Sequence, residues 1–187
     1  MSDELSQNEL RPIGGSWSGL LFANSRMGVP QSLTWTFTFD FALVRRDYGD
    51  VEPSLTIDWV PLPAASIASM SGHAASSPFG EPIESSLYFF QHHRFAEASV
   101  AIVDQNERRL HVRAAANGDI DALGLDGASV EAWLDFAGIY VQLEDKLATI
   151  EAAAELLAQF TDPTGLVGIE RSHNYVFRLA ASDPEAP

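Results

Sequence analysis

Residues 33–44 read Leu-Thr-Trp-Thr-Phe-Thr-Phe-Asp-Phe-Ala-Leu-Val, and apolar groups alternate with small or polar ones along the stretch. Leu33, Trp35, Phe37, Phe39, Phe41 and Leu43 fall on one face. Thr34, Thr36, Thr38, Asp40 and Ala42 fall on the other. A period of two is the pleat of a β-strand, and Trp, Phe and Thr favour it. Such a segment spans about 40 Å at roughly 3.3 Å per residue. A strand of that length suits a sheet that bends into a barrel or curls over a core. The expected fold is therefore mainly β: an antiparallel barrel or strongly curved sheet, with one amphipathic helix at about 146–160 packed on it.

That helix is read from Leu147, Ile150, Ala154 and Leu157, a stripe at helical spacing widened by Ala153, Leu156 and Phe160. Asp145 is placed to cap its start, and Pro163 stops it. Residues 1–12 read as a mobile arm and 182–187 as a mobile tail, with a single β-rich domain over 13–181. Within it, strands are expected at 17–23, at 33–45, from Ser54 to Pro61 with Leu55, Ile57 and Trp59 on one face, at 84–95, and at about 168–179. In 84–95, Leu87 and Phe89 face one way and Tyr88 and Phe90 the other, as in a strand covered on both sides. Residues 64–82, rich in Ala, Ser, Gly and Pro, read as a surface excursion or a lid.

Residues 97–104 and 108–115 form a hairpin pattern. Pairing Ile102 with Leu110 and Val100 with Val112 puts apolar groups on the core face and leaves Gln105-Asn106-Glu107 as a three-residue loop. Residues 130–143 fit two elements. Val130, Ala132, Leu134 and Phe136 alternate, then Ile139, Val141 and Leu143 do so with shifted parity after Gly138, as at a β-bulge. Val130, Trp133, Leu134 and Ala137 also make a helical face behind Ser129.

The 187 residues carry 26 carboxylates against 11 Lys and Arg, a formal net charge of −15. Phosphate backbones and anionic lipid surfaces are repelled by such a surface, which argues against nucleic-acid and membrane-surface roles. No apolar run is long enough to span a membrane as a helix. The polar, acidic start predicts no signal peptide. Cysteine is absent, which excludes disulfides and thiolate metal sites and is compatible with a cytoplasmic location.

No nucleophile, zinc-protease, phosphate-loop or dinucleotide motif occurs. Five histidines stand at 73, 92, 93, 111 and 173. His92 and His93 are adjacent, so on a strand they face opposite ways and cannot chelate together. Asn117-Gly118-Asp119-Ile120-Asp121 has the flavour of a calcium loop. It lacks the glycine at the sixth position and the glutamate at the twelfth, where Ala122 and Ala128 stand, so it reads as a polar turn. Asp40, Asp58 and Asp135 lie within strands opposite the apolar rows. They would be an acid/base pair or a cation site only if that face lines a cavity.

Gly15-Ser16-Trp17, followed by many strands, a late helix and a last strand, resembles the Gly-x-Trp entry of lipocalins and the wider calycin-like barrels. The turn motif of that family between late strands has no counterpart at Val103-Asp104-Gln105. The resemblance implies a barrel that holds a small apolar molecule, with Trp17 plugging its closed end. On this basis the expected function is non-catalytic binding of a small, largely apolar ligand. Trp35, Phe37, Phe39, Phe41, Trp59, Tyr88 and Phe90 are its candidate lining; the alternative for each is ordinary core. A second expectation, from the net charge, is an acidic interaction module, immunity- or chaperone-like, for a basic protein partner. A third is an enzyme using the strand carboxylates Asp40 and Asp58, or a histidine. No pattern specifies a cofactor, a metal or an oligomeric state.

Overall fold

The computed structural model describes residues 5–180. The elements run β1 (Pro12–Asn24), β2 (Val29–Phe41), β3 (Val44–Arg46), β4 (Gly49–Val51), β5 (Ser54–Val60), β6 (Ala74–Pro78), β7 (Glu84–Phe89), β8 (Gln91–Asn106), β9 (Arg109–Asp119), β10 (Gly127–Gln142), α1 (Ile150–Leu157), β11 (Leu166–Glu170) and β12 (Tyr175–Leu179). Hydrogen bonds link β1, β2, β5, β7, β8, β9 and β10 in that order, and β10 returns to β1. The ring has seven strands, each antiparallel to the one before. An odd number of alternating strands makes the first and last run the same way, and β1 and β10 accordingly pair in parallel. The fold is thus a curved, mainly antiparallel sheet closed on itself, with β12 and β11 branching from β10 and β6 from β8.

The period-two reading of β2 holds inside the ring. Trp35, Phe37, Phe39 and Phe41 are buried, with Leu55, Ile57, Val100, Ile102, Leu110, Val112, Leu134 and Ile139 in the same core. The strand stops at Phe41, so Leu43 is exposed. Gly15 lies where strands come close: a Cβ on it would sit 2.0 Å from the Thr38 carbonyl oxygen, and its φ of +145° suits glycine. Beside it Trp17 is buried against Trp35 and Phe136, with ring centroids 5.6 and 4.6 Å away.

Residues 130–143 are strand, not helix. The ladder from β1 passes from Trp17–Phe136 to Ser18–Gly138, so one residue bulges out and the parity changes at the glycine. The helix is shorter than expected. Thr149, not Asp145, caps it, its Oγ1 accepting from the Ala152 N–H at 3.2 Å. The Lys146 turn is held elsewhere, its ammonium donating to Glu170 Oε1 (2.7 Å) and to the Arg171 carbonyl (2.8 Å). The apolar stripe keeps its direction: Ala153 and Leu157 are buried, and Leu147, Ile150, Ala154, Leu156 and Phe160 pack around them.

The predicted hairpin forms, but two residues out of the expected register. Ile102 faces Val112 and Val100 faces Ala114, and a bulge at Val103 shifts the tip to Asn106–Arg109. Its turn is Glu107-Arg108, with Glu107 at φ 44°. A slip of two keeps every side chain on its own face, so the alternation alone could not separate the two registers. The segment 84–95 is two strands, not one: it reverses at Phe90, where Phe89 faces Gln91. The last strand, expected over 168–179, is likewise the hairpin β11–β12.

Both ends of the ring are covered by chain. At one end, residues 5–12, expected as part of a mobile arm, are packed. Leu5 and Leu10 are buried, and the Gln7 side chain donates to the Ser129 carbonyl and accepts from its N–H. Glu9 pairs with Arg46 of β3 at 2.8 Å. The remainder of that arm, and the tail 182–187, lie outside the described residues. At the other end, residues 64–82, expected as a surface excursion or a lid, are largely exposed but anchored at Ala64, Ile67 and Met70. Ile67 and Met70 are buried in the core. Gln105 of β8 holds this segment by both ends of its amide, accepting from the Met70 N–H (2.9 Å) and donating to the Ile67 carbonyl (2.6 Å). Residues 74–78 then pair along β8 as β6.

Candidate functional site

The seven candidate ligand residues separate into three groups. Trp35, Phe37, Phe39 and Phe41 lie inside the ring and are at most 1% exposed. Trp59 is turned outward: two residues of β5 oppose one of β2 between the Trp35–Val60 and Phe37–Ile57 pairs, and Trp59 takes a φ of 59°. Val60 fills the core position instead, and the Trp59 ring meets Phe22 of β1 edge-on at 5.6 Å. Tyr88 and Phe90 form the third group, on the outer surface near the β7–β8 turn, each 38% exposed.

That third group is the core of the candidate site. Phe90 sits at the single-residue reversal between β7 and β8 with a φ of 60°. A bulky residue in the left-handed region is a backbone outlier, and here it directs a phenyl ring outward. Across from it, the β3–β4 turn presents Tyr48, 58% exposed, with ring centroids 5.0 Å apart. Phe89, buried, lies beneath Phe90 at 5.0 Å, and the Arg46 guanidinium stacks over Phe89 at 5.3 Å. On the β7 side the Tyr88 ring meets the His92 imidazole at 5.4 Å. The two turns therefore bring Tyr48, Phe90, Tyr88 and His92 onto one end of the ring. Tyr88 and Phe90 are candidates on sequence alone, whereas only the juxtaposition of two distant turns identifies Tyr48.

The surroundings are acidic. Asp47 and Glu52 are exposed on the β3–β4 hairpin and the link to β5. Asp40 is exposed on β2, where it faces Ser54, which in turn faces Tyr88. Of the two arginines on that hairpin, Arg45 is exposed beside Asp50, and Arg46, which lies over Phe89, is committed to Glu9. The hydrogen bonds from Arg46 lower the Glu9 carboxyl to about 2, aided by the Ser6 N–H and hydroxyl and opposed by partial burial. The same commitment runs through the molecule. Arg26, Arg45, Arg94, Arg109, Arg113 and Lys146 also sit in ion pairs, with Glu144, Asp50, Asp121, Asp135, Glu131 and Glu170. Among the described residues, Asp40, Asp47 and Glu52 are exposed and stand in no such ion pair.

The other candidates fall apart in space. Asp40 lies opposite Ser54 and Asp58 opposite Glu84, which sets the two aspartates four residues apart along β5, about 13 Å at roughly 3.3 Å per residue. Asp58 accepts the Thr36 hydroxyl at 2.6 Å, and Asp135 pairs with Arg109. Asp119 is held in its turn, its Oδ2 accepting from the Gly124 N–H at 2.9 Å. Burial works to raise its carboxyl, but backbone N–H groups from Asp121 to Gly124 outweigh that and lower it. Among the described residues no group of three or more His, Asp or Glu side chains is gathered as a metal site. No helix among them is long and apolar enough to cross a membrane.

No protein-family model matches the chain, and neither the curated proteins nor the solved structures show a significant likeness to it. What the structure defines is the class: a mainly β chain whose curved sheet closes through seven strands and carries one helix.

Proposed function

We propose that this protein is a non-catalytic binding module for a basic protein partner, engaged through Tyr48, Phe90 and Tyr88. The observation that carries this reading is the exposed aromatic cluster, held out by the left-handed Phe90 and flanked by the exposed Asp40, Asp47 and Glu52. An Arg or Lys side chain laid on such rings gains cation–π attraction, and the flanking Asp40, Asp47 and Glu52 supply ion pairs. Tyr and Phe at the centre with charge at the rim is the arrangement of an interaction hot spot. The net charge of −15 steers a cationic partner toward the whole molecule. The test is a titration of the labelled protein with a short Arg/Lys-rich peptide at low and high salt, followed by NMR. Expected are salt-sensitive shifts confined to residue 40, residues 47–52 and residues 88–92, lost in a Tyr48→Ala/Phe90→Ala variant. Shifts that survive in that variant would overturn the assignment of the site.

A second reading keeps a small, largely apolar molecule inside the ring, as in the lipocalin-like barrels that Gly15-Ser16-Trp17 resembles. Its support is the row of aromatics Trp35, Phe37, Phe39 and Phe41 turned into the ring. Native mass spectrometry decides it: mass that is lost on denaturation is a retained ligand.

A further inference from the structure

We infer that β11 is a self-association edge, through which two copies of this chain join their sheets by antiparallel pairing about Gly168. Among the described residues β11 pairs only with β12, so its other edge offers backbone N–H and C=O groups about Gly168; the Leu166 N–H is taken by the Pro163 carbonyl. Natural edges are usually blunted by a proline, a bulge or an outward lysine. Leu166-Val167-Gly168-Ile169-Glu170 has none of these, and its ladder to β12 runs without a shift. One face of the strand is already covered: a Cβ at Gly168 would meet Ile150 of α1 at 2.6 Å, so the strand is backed by the helix. The opposite face shows Val167 and Ile169 at 53% and 38% exposure.

The choice of a second copy rests on symmetry and charge. Val167 and Ile169 flank Gly168 evenly. With Gly168 on a two-fold axis, Val167 of each copy faces Ile169 of the other, twice over, which is the reciprocity an isologous interface requires. A chain of charge −15 repels its own kind over most of its surface. Within the β11–β12 hairpin itself the balance is not acidic: Arg171 and Arg178 stand with one carboxylate, Glu170, which Lys146 pairs. Two copies therefore meet there without facing acid to acid. This surface is separate from the Tyr48–Phe90 cluster, and either assignment can fail without the other.

Two measurements test it. Sedimentation of the full chain should show a dimer that dissociates on dilution, and Val167→Lys/Ile169→Lys should raise the dissociation constant at least tenfold. The side chains are exposed, so folding is checked by an unchanged circular dichroism spectrum. Because the chain has no cysteine, Val167→Cys/Ile169→Cys reports register directly. Mild oxidation should give a covalent dimer, whereas Val103→Cys, equally exposed on β8, should not. A protein that stays monomeric at the highest concentration it tolerates overturns the inference. So does a dimer that the two lysines leave intact, or a Val103→Cys variant that cross-links as well as the paired one.

Discussion

The phenyl ring of Phe90 lies 5.0 Å from the phenol of Tyr48, although 42 residues separate them in the chain and each stands on a different hairpin turn. The contact exists because β2, β5, β7 and β8 are neighbours in the ring, which brings the β3–β4 turn beside the β7–β8 turn. Its cost is a left-handed backbone at a residue with a large side chain.

Strain and recognition at Phe90 can be separated. A left-handed non-glycine residue costs about 1–2 kcal/mol. Phe90→Gly is expected to recover up to about 1 kcal/mol of that after losing the ring contacts, while Phe90→Ala keeps the strain and is destabilised. Both should weaken binding of an Arg/Lys-rich peptide about tenfold or more. Urea denaturation and calorimetric titration of the two variants check this. Equal stability of the glycine and alanine variants would remove strain from the account.

Glu9 ties the N-terminal segment to β3 through Arg46, and its carboxyl is lowered to about 2 from an unfolded value near 4.5. A lowered carboxylate contributes stability that is present in full above the unfolded value and is lost as pH falls through the folded one. The expected loss therefore spans about pH 5 to 2. Partial exposure of Glu9 screens the pair, so Glu9→Gln should cost about 1 kcal/mol at neutral pH and flatten the acid limb of the stability curve. Thermal melts of both proteins from neutral pH downward measure it. An unchanged acid limb would refute the role.

Phe39 is fully buried between β1 and β5, facing Gly15 on one side and Leu55 on the other. Removing a ring from a close-packed interior leaves a cavity that the neighbours cannot fill. Phe39→Ala should cost about 3–5 kcal/mol and change peptide binding little once the protein is folded. A variant that instead lost little stability but released a bound small molecule in native mass spectra would favour the ligand reading.

Gln105 closes the other end of the ring by gripping the Ile67–Met70 segment. Gln105→Leu leaves the Met70 N–H and the Ile67 carbonyl without their partner, at about 1–3 kcal/mol. Hydrogen exchange should quicken at residues 66–73 first and leave β1 and β2 protected. Uniform quickening across the sheet would mean the segment does not open by itself.

How far the sequence reaches is clear from particular residues. The faces of β2, the apolar sets of β8 and β9 and the direction of the helix stripe were legible, because each depends on spacing within one segment; the bulge at Gly138 was one of two readings that spacing alone left open. Of the candidate site, Tyr88 and Phe90 were legible as aromatics at alternate positions, though as lining inside a covered strand. That Phe90 is a turn tip, and that Tyr48 lies against it, depends on partners far along the chain.

By itself, then, the sequence determined which side chains share a face, since the pleat repeats every two residues whatever the partner strand. Tertiary structure alone decided the register of the β8–β9 hairpin, because a slip of two preserves both faces. It also decided that Trp59 turns outward at the β5 bulge while Val60 takes its place, since only pairing with Trp35 and Phe37 of β2 reveals the extra residue. The burial of Leu5, Leu10 and Met70 was decided there too. Their polar or small neighbours give no local period, and they are buried only because the ring, once closed, has two open ends for the chain to cover.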